Sequence, residues 1–199
     1  MVRGIALGQR SIYDVSITSV TLSVSINTEL HLSEDQSLLI ALLDCWDRNN
    51  TILLGLLVAL PEGGLAARAL AGSPTVAELL THLRFVRVCT VYENDAETAE
   101  THPELTLTDD QEWVAEQDPE QIRQALNDSA LVVRDAVERW VDAGRRHVGT
   151  YQHPVLLLQH LLWHEAYHTG QIKLALKAAG LPMTDAEAGP VTWDVWRRS

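Results

Sequence analysis

Four stretches of this sequence repeat apolar residues at the three-and-four spacing of an amphipathic helix, and that repeat constrains the fold more than any other feature. The first opens at Ser33, which with Gln36 has the spacing of a capping box. It continues through Leu39, Leu42, Leu43, Trp46, Leu53, Leu56, Leu57 and Leu60 and stops at Pro61. Residues 61–74 hold three glycines and two prolines and read as a connection. A second capping box, Thr75 with Glu78, starts a helix through Val76, Leu79, Leu80, Leu83, Val86 and Val91 that runs to about Asp95. Asp118 as N-cap and Pro119 at the first helical position open the third, with Ile122, Leu126, Val133, Val137 and Trp140 facing inward and Gly144 at its end. The fourth starts at Pro154, passes Leu157, Leu161, Ile172 and Leu176, and ends at Gly180 before Leu181 and Pro182.

These four helices predict an all-α domain, an antiparallel four-helix bundle over residues 31–199. Residues 1–30 form an N-terminal extension; Val20, Leu22, Val24 and Ile26 alternate there with Thr21, Ser23 and Ser25, the period of a short strand. The acidic, aperiodic stretch 96–117 is a long connection expected to cover one end of the bundle. The tail from Met183 carries Trp193 and Trp196, which are expected to fold back on the helices.

A net charge of -12 opposes binding to phosphate backbones, so nucleic acid is not an expected partner. The apolar run Thr51–Leu60 is too short to cross a bilayer, so no membrane span is expected. The Ser- and Thr-rich opening lacks the order of a secretory signal, so the cytoplasm is the expected compartment. Cys45 and Cys89 cannot make a disulfide framework and are expected to be reduced.

The fourth helix contains Trp163-His164-Glu165-Ala166-Tyr167-His168, which sets two imidazoles on adjacent turns of one face. That face continues through Leu157, Leu161, Gln171 and Ala175 and so points into the bundle. On the second helix His82 shares a face with Leu79, Phe85, Val86 and Cys89. Burying three neutral imidazoles without partners costs several kcal/mol, roughly the price of unpaired polar groups in an apolar core, whereas one ion satisfies all three. His82, His164 and His168 are therefore the expected ligands of a divalent transition metal, with positions left open for water or substrate. His160 competes as a ligand but falls toward a bundle end; His31, His102 and His147 sit in or beside loops.

His164-Glu165-x-x-His168 also fits the zinc-hydrolase pattern in which the glutamate activates a metal-bound water. That reading needs a third acidic ligand downstream, for which Glu187 lies beyond the Gly180 break, and a substrate-holding edge strand that does not precede this helix. The segment His164-x-x-x-His168-x-Gly170-Gln171-Ile172, with His82 in the setting Val76-Ala77-Glu78-Leu79-Leu80-x-His82-Leu83, resembles the DinB/YfiT-like family of metal-binding four-helix bundles. The resemblance covers about residues 35–180.

The resemblance implies a three-histidine nickel or zinc site, frequently in a homodimer. It also implies a transferase or isomerase that uses a low-molecular-weight thiol such as mycothiol, bacillithiol or glutathione; a non-catalytic metal-binding stress or interaction protein is the alternative. Metal coordination would lower the thiol pKa, and the thiolate would attack an electrophile. Glu165, about 100° round the helix from His164, is the candidate catalytic carboxylate, and its expected role is a bond that orients an imidazole. Gln171 could hydrogen-bond across the bundle near the metal. Trp163 and Tyr167 are expected to pack.

Overall fold

The computed structural model describes residues 34–95, 98 and 109–197. The chain divides into the units Met1–His31 and Leu32–Ser199, and the described residues belong to the second. The strand expected before residue 30 and the Ser33 cap lie outside the described residues.

Local sequence signals account for the helix boundaries. Helix α1 spans Glu34–Val58. Thr75 and Glu78 cap α2, Val76–Tyr92, each bonding the other's backbone N–H, so free donors at the helix start are satisfied. Asp118 accepts from Glu120 N at 2.9 Å to open α3, Pro119–Asp142. His153 accepts from Val155 N through Nδ1 to open α4, Pro154–Ala178. Gly180, at φ 76°, ends α4 in the left-handed region that lacks a Cβ penalty, and Leu181 N–H returns to Leu176 O. A short α5, Asp185–Val191, and a 3-10 turn, Trp193–Trp196, complete the chain.

The core has two apolar halves. One gathers Leu43 and Trp46 of α1, Val91 of α2, Val133 and Val137 of α3, and Leu157 and Leu161 of α4. The other gathers Leu53, Leu79, Leu83, Leu126, Ile172 and Leu176. Residue numbers rise from the first half to the second along α1 and α4 and fall along α2 and α3. The bundle is therefore antiparallel between those two pairs, and helices within each pair run the same way. Since α2 ends in the first half and α3 begins in the second, the connection must travel back along α2, about 25 Å at 1.5 Å per residue. Residues 109–117 of the acidic connection lie beside α2, while most of 96–108, part of the stretch expected to cover a bundle end, falls outside the described residues.

Between the halves lies a buried polar layer. Arg87, wholly buried, pairs through Nε and Nη2 with the Glu165 carboxylate at 2.6 and 2.8 Å. Its Nη1 donates to Asn50 Oδ1 at 3.0 Å and Leu126 O at 2.7 Å, and its guanidinium lies 4.9 Å over the Trp46 ring. Asn49 also donates to Glu165, and Asn50 donates to Asn127. Every main helix contributes to this layer.

The tail folds back on α1, and Trp193 and Trp196 border a cavity with Asn49 and Ile52 of α1 and Ala166 and Thr169 of α4. Ala188 and Val195 are buried, while Trp193 and Trp196 are 68% and 47% exposed, because Arg48 holds the Val195 carbonyl and so turns that residue inward. A Cβ at Gly55 would meet Val191 Cβ at 2.8 Å, so α5 docks only against glycine. Cys45 and Cys89 are half-buried and form no disulfide. Among the described residues no helix is long and apolar enough to cross a membrane.

Arg87→Met leaves the Glu165 charge buried and unpaired and should cost about 3–5 kcal/mol in urea denaturation. Adding Glu165→Leu should recover most of that loss; a double variant as unstable as the single one would show that the pairing is not what matters.

Candidate metal centre

The one-turn spacing on α4 brings His164 and His168 together, and the antiparallel packing of α2 brings His82 to them. His164 Nε2 lies 3.2 Å from His82 Nε2 and 3.0 Å from His168 Nε2. Tetrahedral metal–nitrogen bonds of about 2.0–2.1 Å would set neighbouring ligand nitrogens about 3.3 Å apart, so the spacing fits one small ion. His82 and His168 are 8% and 6% exposed, and His164 is half-buried.

The hydrogen bonds around the rings decide where the protons lie. Gln171 Oε1, which can only accept, sits 2.7 Å from His168 Nδ1, so the His168 proton is on Nδ1 and its Nε2 lone pair faces the cluster. Gln171 Nε2 donates in turn to the Tyr167 hydroxyl at 3.0 Å. Glu112 Oε1 lies 3.1 Å from His82 Nδ1, a charge contact off the hydrogen-bond line that favours the proton on that nitrogen. A single proton on His164 Nε2 could then satisfy only one of two facing lone pairs. A cation satisfies all three nitrogens, and the set could hold a metal ion.

Burial also keeps the rings neutral. It pushes the His164 pKa down to about 4, helped by the neighbouring His168 and His82. Burial lowers His82, with His168 adding to the effect and Glu112 opposing it. Burial lowers His168 against the opposing influence of Gln171 and Glu165. Neutral imidazole is the form that coordinates metal.

The returning connection completes the site. Trp113 stacks on the His82 ring, with centroids 4.0 Å apart and planes 6° from parallel, and stays 43% exposed on its outer face. Neither Glu112 nor Trp113 is marked in the sequence by any helical period. Arg87 was legible only as a charge within the stripe Leu80, Leu83 and Val91.

Glu165 does face neighbouring helices, but the expected bond to an imidazole is not made. Its oxygens accept from Arg87 and Asn49, which hold the carboxylate away from the Nε2 cluster. A water-activating role is disfavoured by the same bonds, and Glu187 is committed to the cap of α5. Gln171 bonds a histidine of its own helix rather than reaching across the bundle. His160 is exposed and meets the Tyr151 hydroxyl at 2.6 Å, and His147 is exposed; His31 and His102 lie outside the described residues.

The fold and this cluster define a helical-bundle protein with a buried three-histidine candidate metal centre. The chain belongs to the DinB family, whose description matches residues 33–190. Comparison with curated proteins and with solved structures returned no match.

Imidazoles in the unfolded chain titrate near 6.5 and these three titrate lower when folded, so the folded state binds fewer protons as pH falls. Their contribution to stability is complete above pH 6.5 and is lost progressively toward pH 4. The melting temperature of chelator-treated protein, followed by circular dichroism, should fall across that window, and His164→Asn should flatten the decline.

Proposed function

We propose that this chain binds one divalent transition-metal ion, zinc or nickel, through His82, His164 and His168, and that it is a transferase using a low-molecular-weight thiol. The observation that carries the reading is the convergence of three Nε2 atoms, two of them on rings whose Nδ1 faces Gln171 or Glu112. Imidazole suits both metals. A bound ion would supply the Lewis acidity that converts a coordinating thiol to its thiolate at neutral pH. Gln171 and Glu112 orient His168 and His82 from behind. Trp113 excludes water over His82 and offers a flat wall to an electrophile. The thiolate sulfur would form its new bond to an electrophilic carbon as that carbon's leaving group departs with the bonding pair, and the proton released from the thiol would pass to solvent. The cytoplasm, where small thiols are kept reduced, suits this chemistry.

A homodimer accompanies this reading. Leu156, Trp163, Tyr167 and Leu174 are all half or more exposed, and their spacing of seven, four and seven places them along one line of α4. Such a stripe is more apolar than a monomer's surface ordinarily leaves in water. We expect the protein to elute as a dimer and Trp163→Asp to elute as a monomer with unchanged metal content; a monomeric parent protein sinks the pairing.

Metal analysis of the purified chain should give about one ion per chain, lost in His82→Ala and in His164→Ala. Metal content untouched by either change would remove the site. With an electrophilic dye and a panel of thiols, conjugation should require the metal. Absence of turnover with every thiol, in metal-loaded protein, would leave a metal-binding protein without the transferase activity.

A further inference from the structure

The segment that reaches His82 also roofs a second hollow. Arg84 follows His82 by two residues, about 200° round the helix, and so leaves α2 on nearly the opposite side. There it borders a cavity of about 310 Å³, at the small end for ligand pockets. Leu80, Val114 and Ile122 supply apolar wall, and Thr81 and Gln121 supply polar edge.

Arg84 stands apart among the described arginines that are not exposed. Arg48, Arg87, Arg123, Arg134 and Arg139 each lie against a carboxylate. Arg84 is half-buried and makes no hydrogen bond or ion pair among the described residues, although the chain has 27 acidic residues against 15 basic. Asp128 acts on it only through longer-range charge and accepts a bond from Gln124. Glu116 borders the same cavity, but its Oε1 accepts from the backbone N–H groups of Gln117 and Asp118 at 2.7 and 2.8 Å, which ties it to the start of α3.

A guanidinium fork at the edge of a small hollow with mixed polar and apolar walls matches a carboxylate, which can accept two parallel N–H bonds. A phosphate dianion fits less well, because one arginine must offset two charges beside Glu116 in a chain of net charge -12. We infer that this cavity is a binding site for a small organic carboxylate, its carboxyl group on Arg84 and its apolar body against Leu80, Val114 and Ile122. The site is independent of the metal centre, although Trp113 next to Val114 places a fluorophore on the shared segment.

The test is calorimetric titration of the purified full chain with butyrate, 4-methylpentanoate and benzoate, each beside its neutral amide. At least one acid should bind ten times or more tighter than its amide. Arg84→Gln should erase that preference, Arg84→Lys should retain part of it, and both should keep the parent's circular dichroism and metal content. The amide comparison stands on the parent protein alone, so a variant that fails to fold does not decide the matter. Acids binding no better than amides in the parent, or a folded Arg84→Gln variant keeping the preference, would overturn the inference.

Discussion

The guanidinium of Arg87 touches all four main helices: Trp46 and Asn50 of α1 lie around it, the Leu126 carbonyl of α3 accepts from it, Glu165 of α4 pairs with it, and α2 carries it. A buried ion pair contributes little net stability over a well-packed apolar pair, but separating its partners is costly. The consequence is positional. Any slide of α2 along α4 would strand one charge in the core, so the relative height of these helices is held at Arg87 and Glu165. His164 adjoins Glu165, and His82 lies about a turn and a half from Arg87. The layer that seals the core therefore also sets the level at which the three imidazoles meet.

Helix direction explains the rest of the site. With α1 and α4 running one way and α2 and α3 the other, the chain cannot pass from α2 to α3 by a tight turn. It must return along the bundle, and in doing so it brings Glu112 against His82 Nδ1 and lays Trp113 over the ring. A connection that the topology makes long thus furnishes one wall of the centre. Gln111 and Val114 of the same segment border the Arg84 cavity on the other side of α2.

The centre joins two opposing physical demands. Burial makes protonated histidine unfavourable, which keeps the rings available as ligands, while the lone pairs this leaves face one another at 3.0–3.2 Å with too few protons between them. Gln171 and Glu112 sharpen the conflict by drawing protons to the outer ring nitrogens. A cation resolves it more completely than any arrangement of protons.

Much of this was legible in the sequence because helix period and capping are local. The Thr75–Glu78 box, the Asp118–Pro119 start and the Gly180 stop each depend on residues within a few positions, and the structure bears them out. The pair His164 and His168 was likewise set by one turn of helix, and His82 by its place on an apolar face. Partners distant in sequence were not legible. Nothing local says that Glu165 answers Arg87, 78 positions earlier, rather than an imidazole on the next turn. Nothing periodic marks Trp113, and nothing local shows that Val195, between two tail tryptophans, takes the buried place. The sequence alone determined four helices, the caps that open the second and third, and the residue types of the site. Tertiary structure decided their directions, the pairing of the buried charges and the path of the returning segment, because those depend on which surfaces remain to be buried once the helices meet.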